Sequence, residues 1–552
     1  MKQKLIDWYS RNFIDQFYEV KLPEHFNMAS LALDRWADRD DGDKLVAIYH
    51  ENESFSFVRL QGIVNRIGNV LKLQGLGYGD RALVRMGNHP MYLAVNLAII
   101  KLGAIAVPTS TLFKERELEF ILNNCEAKMA VVAPDLLPEL EAVMSRTSGL
   151  KKILTLNGVR EGFESIDNLM EHASDNLDAY RTTSEDGAFV LYTSGTTGFP
   201  KGVPHTHAWM ISVGDPNAKF VLHMNRGDRM FTPIEMTWMW PWGYCFWWTL
   251  YAGGSCCIYP GRFDPEKVWS YLEKYGATHI LGNPTIYRRL LRVPVEKMGH
   301  PSSTLKMAFS SGETVEPGLF NEWKRRVGTE LYDCLGQTES HVFVCTRQGV
   351  LKLGSLGKPL TGCPVAVVRE DGSLCDPDET GYLALERDWV ALTSGYIKQE
   401  EEWKSRIVGD WYLTWDFVKV DKDGFFWYVS RTDDLIKSRG YLIGPKEVED
   451  VLAEHESVLE SAVIGVADPD QRERVKAFIV LKEGFVPSKD LAESTRNFTR
   501  DNIAPYKVPK EIEFIESLPK TVTGKTMRKT LKEREGTPHN EDKEQTPQVY
   551  LF

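Results

Sequence analysis

The stretch LYTSGTTGFPKGV, Leu191 to Val203, joins an apolar run to a cluster of hydroxyls, glycines and one lysine. These residue types share one property: they present hydrogen-bond donors, backbone N–H groups or positive charge to an anion. The residues concerned are Thr193, Ser194, Gly195, Thr196, Thr197, Gly198 and Lys201. Their spacing does not match the Gly-x4-Gly-Lys-Ser/Thr phosphate loop, and Pro200 intervenes. The stretch therefore predicts a polyphosphate site of another type.

Helical and strand patterns alternate along the chain that precedes this stretch. Apolar residues recur at helical spacing over residues 60–71, and ALVRM then reads as a strand. A helix over 91–102 follows, after which AIAVP, ERELEFILNN and MAVVA continue as strand, helix and strand. Such alternation predicts a parallel sheet with helices on its faces, which is α/β architecture.

The chain of 552 residues is too long for one ordinary core, so we expect several domains. Short strands and turns after about residue 350 predict a β-rich subdomain within a large N-terminal α/β domain, residues 1–431. A charged helix and two apolar strands predict a small, mobile α+β domain over residues 432–535. The polar remainder, residues 536–552, reads as a loosely held tail.

Charge and cysteine content limit the partners and the compartment. The formal net charge of -11 argues against a nucleic-acid surface and requires any phosphate ligand to be met by local basic groups. The eight cysteines show neither CxxC pairs nor zinc-ligand spacing, so neither a zinc site nor a disulfide framework is indicated. The N-terminus carries charges where a signal peptide has an apolar core and reads as an amphipathic helix. We therefore expect a cytoplasmic protein.

An uncharged, aromatic segment runs from Met236 to Gly261. A membrane-spanning helix needs about 20 apolar residues in an unbroken run, and here the proline at 241 and the glycines at 243, 253 and 254 interrupt it. We expect a buried pocket wall instead. Its aromatic residues include Trp238, Trp240, Trp242, Tyr244, Phe246, Trp247 and Trp248. If the segment were a strand, alternation would make about half of them ordinary core residues.

Six further segments follow the first stretch in order: SSGET (310–314), DCLGQTE (333–339), WYLTWD (411–416), SRTDDLIKSRG (430–440), APYKVPK (504–510) and PKTVTGKTMRK (519–529). Together they resemble the AMP-forming acyl-CoA synthetases of the adenylate-forming superfamily, over nearly the whole chain. The resemblance implies ATP, Mg²⁺ and coenzyme A as cofactors and a two-step reaction through an acyl-adenylate. It also implies catalysis by charge neutralisation and alignment rather than by a protein nucleophile.

The resemblance assigns nucleotide and metal roles to these motifs. Thr338 is expected at the α-phosphate and Glu339 at the Mg²⁺. Asp333 is expected to bind the adenine amino group, and Asp416 the ribose hydroxyls with Arg431 nearby. The remaining expected nucleotide contacts are Gly312, Glu313, Thr314 and Gln337.

Three residues near the C-terminal end carry roles tied to movement of the small domain. By resemblance, Lys525 delivers charge to the adenylation transition state and Asp433 is the hinge. Gly440 is expected to line the pantetheine approach, although a left-handed turn explains a glycine there equally well.

The sequence departs from the family at two positions: Leu335 stands where relatives stack an aromatic ring on adenine, and Trp415 replaces the glycine of Thr-Gly-Asp. Gly336 stands where acetate-restricted relatives place a tryptophan, so an open acyl pocket is expected. With Trp238, it suggests the medium-chain branch and a medium-sized apolar acid.

Alternatives to this function remain open at this point. An aryl acid such as benzoate is the rival substrate, and a non-catalytic acyl-nucleotide sensor is the rival class; a luciferase-like oxygenase or a carrier-protein loader is less favoured. The reaction is near balance, so ATP formation from acyl-CoA is an equal possibility. We expect small-molecule partners only, no transmembrane segment, and a monomer or homodimer.

Overall fold

The computed structural model describes residues 20–193, 200–299, 303–312, 315–431, 434–438, 441–468, 472–520, 526–536 and 548–552. The chain divides into two compact units, residues 1–365 with 385–412 and residues 366–384 with 413–552. The predicted domain limits at residues 431 and 535 rest on sequence motifs and on changes in composition, and they stay predictions.

The first unit contains two sheets that are mostly parallel. The first sheet has the strand order Glu164–Ser165, Lys152–Thr155, Met129–Val132, Arg81–Arg85, Ile105–Pro108, Gly187–Thr193 and Lys201–Thr206. Only its last strand pairing is antiparallel. The second sheet has the order Lys358–Pro359, His341–Cys345, Leu331–Gln337, Met307–Ser311, His279–Leu281, Arg229–Thr232, Ser255–Ile258, Val46–His50 and Glu53–Ser56. The α/β prediction is confirmed, and the strand and helix runs that led to it all occur.

Helices cover these sheets, and their ends follow local sequence signals. Helix Phe57–Leu73 starts at Ser56, whose side chain accepts a hydrogen bond from the Arg59 N–H. Helix Pro265–Tyr275 starts after the Asp264 cap and ends at Gly276, which has a left-handed φ of 56°. The other helices are Met28–Ala32, Asp34–Ala37, Pro90–Lys101, Glu115–Cys125, Leu137–Glu141, Ile166–Met170, Asp215–Phe220, Met239–Pro241, Trp248–Tyr251, Pro284–Leu291, Pro317–Val327 and Glu400–Lys404.

The aromatic segment is helical, which corrects the alternative in which it forms a strand. A π-helix, Trp242–Trp247, continues Met239–Pro241 and leads into Trp248–Tyr251. Pro241 is expected to break the helix, but it lies in the first turn, where its missing N–H costs no hydrogen bond. The helix therefore continues past it. The run is too short to span a bilayer, and none of the described helices is long and apolar enough to do so.

The second unit is built on two sheets and a few helices. One sheet has the order Val365–Val368, Thr380–Glu386, Trp411–Val420 and Ile407–Val408, with Phe426–Arg431 pairing Trp411–Val420, and most of its residues belong to this unit. The other has the order Tyr441–Ile443, Ile436–Ser438, Arg472–Leu481, Glu511–Phe514 and Gln548–Leu551, with Val458–Asp468 pairing Arg472–Leu481. Its helices are Pro445–Ala453, Lys489–Asn502 and Arg528–Gly536.

The last residues of the chain differ from the expected loose tail. Gln548–Leu551 pairs antiparallel with Glu511–Phe514, and Tyr550 and Phe552 pack against the core of the unit. The apolar run VYLF supplies side chains for that packing, and it outweighs the polar composition of the residues before it.

Candidate active site

The candidate site lies in the first unit, where the end of strand Leu331–Gln337 meets the start of strand Lys201–Thr206. These strands belong to different sheets. Two hydrogen bonds join the segment after Gln337 to residues in or just after strand Lys201–Thr206. The buried imidazole of His205 donates from Nε2 to the Thr338 carbonyl at 2.8 Å. The indole of Trp209 donates to the Ser340 carbonyl at 3.0 Å. Loops that follow parallel strands are the usual ligand sites of such sheets.

His205 is uncharged when it makes this contact. Burial lowers the pKa of His205 to about 4, while its hydrogen bond to Thr338 acts in the opposite direction. At neutral pH the ring therefore supplies one N–H donor and no charge. The segment that carries Thr338 and Glu339 is thus fixed by a neutral hydrogen bond.

Glu339 is 8% exposed and has one hydrogen-bonded carboxylate oxygen. The Tyr396 hydroxyl donates to Oε1 at 2.5 Å. Burial raises the pKa of Tyr396, and the negative charge of Glu339 raises it further, so the hydroxyl stays protonated. The second oxygen, Oε2, receives no hydrogen bond from the described residues.

Lys201 is 4% exposed and forms an ion pair with Glu402. Arg406, four residues after Glu402 and just beyond the end of helix Glu400–Lys404, lies 3.3 Å from the same carboxylate oxygen. Burial raises the pKa of Glu402, but the ion pairs with Lys201 and Arg406 outweigh it, and the net pKa is lowered. Two cations, Lys201 and Arg406, therefore share the Glu402 carboxylate.

The hydroxyl of Tyr412 extends this network along the strand end. It donates to the Gln337 side-chain oxygen at 3.3 Å and lies 3.4 Å from an Arg406 nitrogen. Asp333 lies on the same strand as Gln337, is buried, and accepts a hydrogen bond from the Val315 N–H at 2.9 Å. The structure therefore brings together Lys201, Thr338, Glu339 and Gln337, with Asp333 on the same strand.

The other predicted nucleotide residues are described separately. Thr193 ends the strand that pairs with Lys201–Thr206, its Cα partner being Lys201. Gly312 follows strand Met307–Ser311 with a φ of 91°. In the second unit, Asp416 is buried and is the Cα partner of half-buried Arg431 across two antiparallel strands. Several predicted residues lie outside the described part of the chain: Ser194, Gly195, Thr196, Thr197, Gly198, Glu313, Thr314, Asp433, Gly440 and Lys525.

Gly336 and several residues of the aromatic segment lie against His341, which sequence reasoning missed. His341 has a φ of 117°, a left-handed conformation that is strained for any residue except glycine. Its ring lies 4.0 Å from Trp248 and stacks on Tyr244 at 5.2 Å between centroids. Burial lowers its pKa to about 3, so the ring is neutral.

Gly336 and Trp238 differ in their surroundings. A Cβ atom on Gly336 would lie 2.3 Å from the His341 carbonyl oxygen, so the neighbouring strand needs a glycine here for close approach. Whether Gly336 also opens an acyl pocket stays a prediction. Trp238 and Trp240 are half-buried, whereas the core encloses Trp242, Tyr244, Phe246, Trp247 and Trp248 completely.

The residues that complete the site gave only weak sequence signals. Glu402 lies in the run QEEEWK, which resembles a solvated helix face, and Glu400 and Glu401 are indeed exposed. Tyr396 and Tyr412 follow ordinary turn and strand patterns. Helical spacing between Glu402 and Arg406 was the one available signal.

Comparison with known proteins shows the family of the chain. Residues 33–397 match the AMP-binding enzyme family and residues 447–525 match its C-terminal domain. The chain is 36% identical to the uncharacterized acyl-CoA ligase YtcI of Bacillus subtilis, over 88% of this chain and 91% of that protein. It is 31% identical to the mitochondrial acyl-coenzyme A synthetase ACSM3 of Homo sapiens, over 94% of this chain and 91% of that protein.

The fold is shared with a solved structure of the anthranilate CoA ligase AuaEII in complex with anthranoyl-AMP. The TM-score is 0.86 at 30% identity, covering 93% of this chain and 98% of that chain. The chain therefore belongs to the AMP-binding enzyme family, among its AMP-forming acyl-CoA synthetases. Enzymes of this kind use ATP, Mg²⁺ and coenzyme A.

Proposed function

We propose that this chain activates a medium-sized apolar carboxylic acid, medium-chain, branched or cyclic, in two steps. A carboxylate oxygen of the acid bonds to the α-phosphorus of ATP, and the bond to pyrophosphate breaks. The sulfur of coenzyme A then bonds to the acyl carbon, AMP leaves, and the thiol proton passes to solvent. The energy balance is small, so the same site also serves ATP formation from acyl-CoA, AMP and pyrophosphate.

The proposal rests on one observation: Lys201 and Glu339 lie in the same buried site. Lys201 holds positive charge at the start of its strand, and Thr338 and Glu339 follow the end of another. The polyphosphate of ATP needs cationic and hydroxyl partners, and charge builds up on it as the α-phosphorus becomes five-coordinate. Lys201 and Thr338 meet these needs with groups that the protein has already fixed.

The residues present fit a magnesium ion bound mainly through phosphate. Mg²⁺ prefers oxygen ligands and is commonly held by one or two carboxylates with substrate phosphates and water. Glu339 supplies one buried carboxylate whose Oε2 receives no hydrogen bond from the described residues. Among those residues, no group of three or more acidic, histidine or cysteine side chains could hold a metal ion. When bound there, Mg²⁺ neutralises phosphate charge.

The other predicted residues complete the proposal. Asp333 and Asp416 bind adenine and ribose, Arg431 adds charge near the ribose, and Gln337, Gly312 and the 193–198 segment line the nucleotide. Lys525 acts in adenylation, Asp433 is the hinge, and Gly440 lines the thiol approach. A cytosolic location fits eight free cysteines, seven of them buried.

The half-buried residues Trp238 and Trp240 support the substrate class. They are two members of the aromatic segment that the core leaves partly accessible, and the Trp240 carbonyl lies 3.4 Å from the His341 ring. A small apolar pocket bounded by these walls would hold an acid of about four to eight carbons. An aryl acid is the second candidate, because flat aromatic walls favour stacking and the AuaEII ligase, named for anthranilate, shares the fold.

Pyrophosphate release tests the proposal. The purified enzyme is supplied with ATP, Mg²⁺ and a panel of straight, branched, cyclic and aromatic acids, with and without coenzyme A. We expect pyrophosphate release to depend on a four- to eight-carbon apolar acid, and acyl-CoA to form only when coenzyme A is present. Fastest release with benzoate-type acids would support the second candidate. No release with any acid would point to a nucleotide sensor, and Glu339→Gln serves as the inactive control.

A further inference from the structure

Tyr396 contacts both charged residues on which the proposed adenylation depends. Its hydroxyl donates to Glu339 Oε1 at 2.5 Å, and the Lys201 ammonium lies 5.2 Å from the centroid of its ring. The first is a charge-assisted hydrogen bond, and the second is within the range of a cation–π contact. Tyr396 is 4% exposed, so both contacts lie out of bulk water, where each is stronger.

The backbone around Tyr396 is fixed on both sides. We call residues 393–397 the strap. The Thr393 N–H donates to the Glu339 carbonyl at 2.7 Å, and the Thr393 hydroxyl donates to the Pro204 carbonyl at 2.7 Å. The Ile397 N–H donates to the Gly202 carbonyl at 3.0 Å. The strap is therefore bonded both to the segment of Glu339 and to the strand that Lys201 begins.

The position of the Tyr396 hydroxyl beside Glu339 indicates its role. A protonated phenol beside a carboxylate donates to it and holds its orientation. Because Oε1 is occupied by Tyr396, the carboxylate presents Oε2. A side chain that fixes a metal ligand in this way raises the affinity of the site for the ion without touching the ion.

We infer that Tyr396 is a positioning residue for adenylation, which aims the Glu339 carboxylate at the divalent cation and supports the Lys201 ammonium with its ring face. The inference rests on the proposed roles of Glu339 and Lys201. It adds Tyr396 to the residues on which adenylation depends. It also predicts that this tyrosine in the strap sets, in part, the metal concentration that the enzyme needs.

Tyr396→Phe tests the hydroxyl and keeps the ring. The variant is expected to need about ten times more Mg²⁺ for half-maximal pyrophosphate release, as removal of a group that orients a metal ligand typically does. At saturating Mg²⁺ its kcat should return to within about twofold of the unmodified enzyme, since the ring and the Lys201 contact remain. Tyr287→Phe is the matched control, because Tyr287 is also buried and donates to the Phe309 carbonyl far along the chain from the strap.

A second readout does not depend on turnover. Mn²⁺ is titrated into the enzyme with α,β-methylene-ATP, and the free ion is followed by its electron paramagnetic resonance signal. About tenfold weaker Mn²⁺ retention in Tyr396→Phe, with Tyr287→Phe unchanged, is the expected result. Equal retention in Tyr396→Phe and the unmodified enzyme overturns the inference, as does an equal loss in both variants, which would reflect general loosening.

The two proposals fail in different ways. If the unmodified enzyme releases no pyrophosphate with any acid while Mn²⁺ retention still depends on Tyr396, the proposed reaction is wrong and the positioning role stands. If release is normal and its Mg²⁺ dependence is the same in Tyr396→Phe, the reaction stands and the role of Tyr396 is wrong.

Discussion

Lys201 and Glu402, which lie 201 residues apart in the chain, form an ion pair in which the lysine side chain is 6% exposed and the glutamate side chain 28% exposed. The pair ties helix Glu400–Lys404 to the strand that begins at Lys201, near the end of the stretch 191–203. A lysine in a glycine-rich turn is ordinarily solvated, so its burial against a distant carboxylate is a property of this fold and cannot be read from the turn.

Glu402→Gln is expected to destabilise the enzyme by about 1–2 kcal/mol at pH 7, because it leaves Lys201 buried without its closest counter-charge. The pKa of Glu402 is lowered in the folded protein, so its contribution is present above the ordinary value of 4.5 and is lost as the pH falls below it. Urea unfolding at several pH values should therefore show a gap between the two proteins that narrows progressively as the pH falls below 4.5. A gap that is constant with pH would contradict the ion-pair explanation.

Gly336→Ala is expected to destabilise the enzyme by about 1–3 kcal/mol, as overpacking against backbone does. The added Cβ would lie 2.3 Å from the His341 carbonyl oxygen, and that strand backbone has little room to move. Gly318→Ala is the control, because nothing lies within 4 Å of a Cβ there and alanine favours the helix Pro317–Val327. Urea unfolding of both variants measures the difference; equal effects would show that the close approach at Gly336 relaxes freely.

Trp415 occupies a φ of 63° within strand Trp411–Val420, in a region where glycine is favoured. Comparing Trp415→Ala with Trp415→Gly isolates the backbone strain, since both lose the indole. The glycine variant should be more stable than the alanine variant by about 1 kcal/mol, because only alanine keeps the left-handed penalty. The free energies of unfolding from urea titration test this, and an alanine variant that is the more stable would refute it.

Lys525→Ala is expected to slow adenylation by a hundredfold or on that order, as loss of a charge at the transition state does. The transfer of a preformed acyl-adenylate to coenzyme A should be nearly unchanged. Pyrophosphate release and single-turnover thioester formation measure the two steps separately. Equal loss in both would remove the assignment of Lys525 to the first step.

The fold was largely predictable because its signals are local. The helical spacing of residues 60–71 and the short apolar runs at residues 82–86 and 129–133 are patterns within single elements, and the structure contains each of them. The aromatic segment was the exception. Pro241 reads as a helix breaker, yet in a first turn it has no hydrogen bond to lose, so the helix continues through it.

Residues of the candidate site were predictable from the sequence only where they lie within a motif. Lys201 is predicted from the residue types of its own stretch and Glu339 from a family motif, and the structure places both in one network. Tyr396 and Glu402 were missed, because each acts through a partner far away in sequence: Tyr396 bonds Glu339 across 57 residues. The left-handed conformation of His341 likewise has no signal in the sequence around it.

The closing strand Gln548–Leu551 has a practical consequence for anyone who shortens this chain. It covers the edge of strand Glu511–Phe514, and removal of residues after 536 would leave that row of N–H and C=O groups open to a second molecule. A trimmed small unit would therefore self-associate through this edge, so affinity tags and proteolytic trimming belong elsewhere than at Phe552.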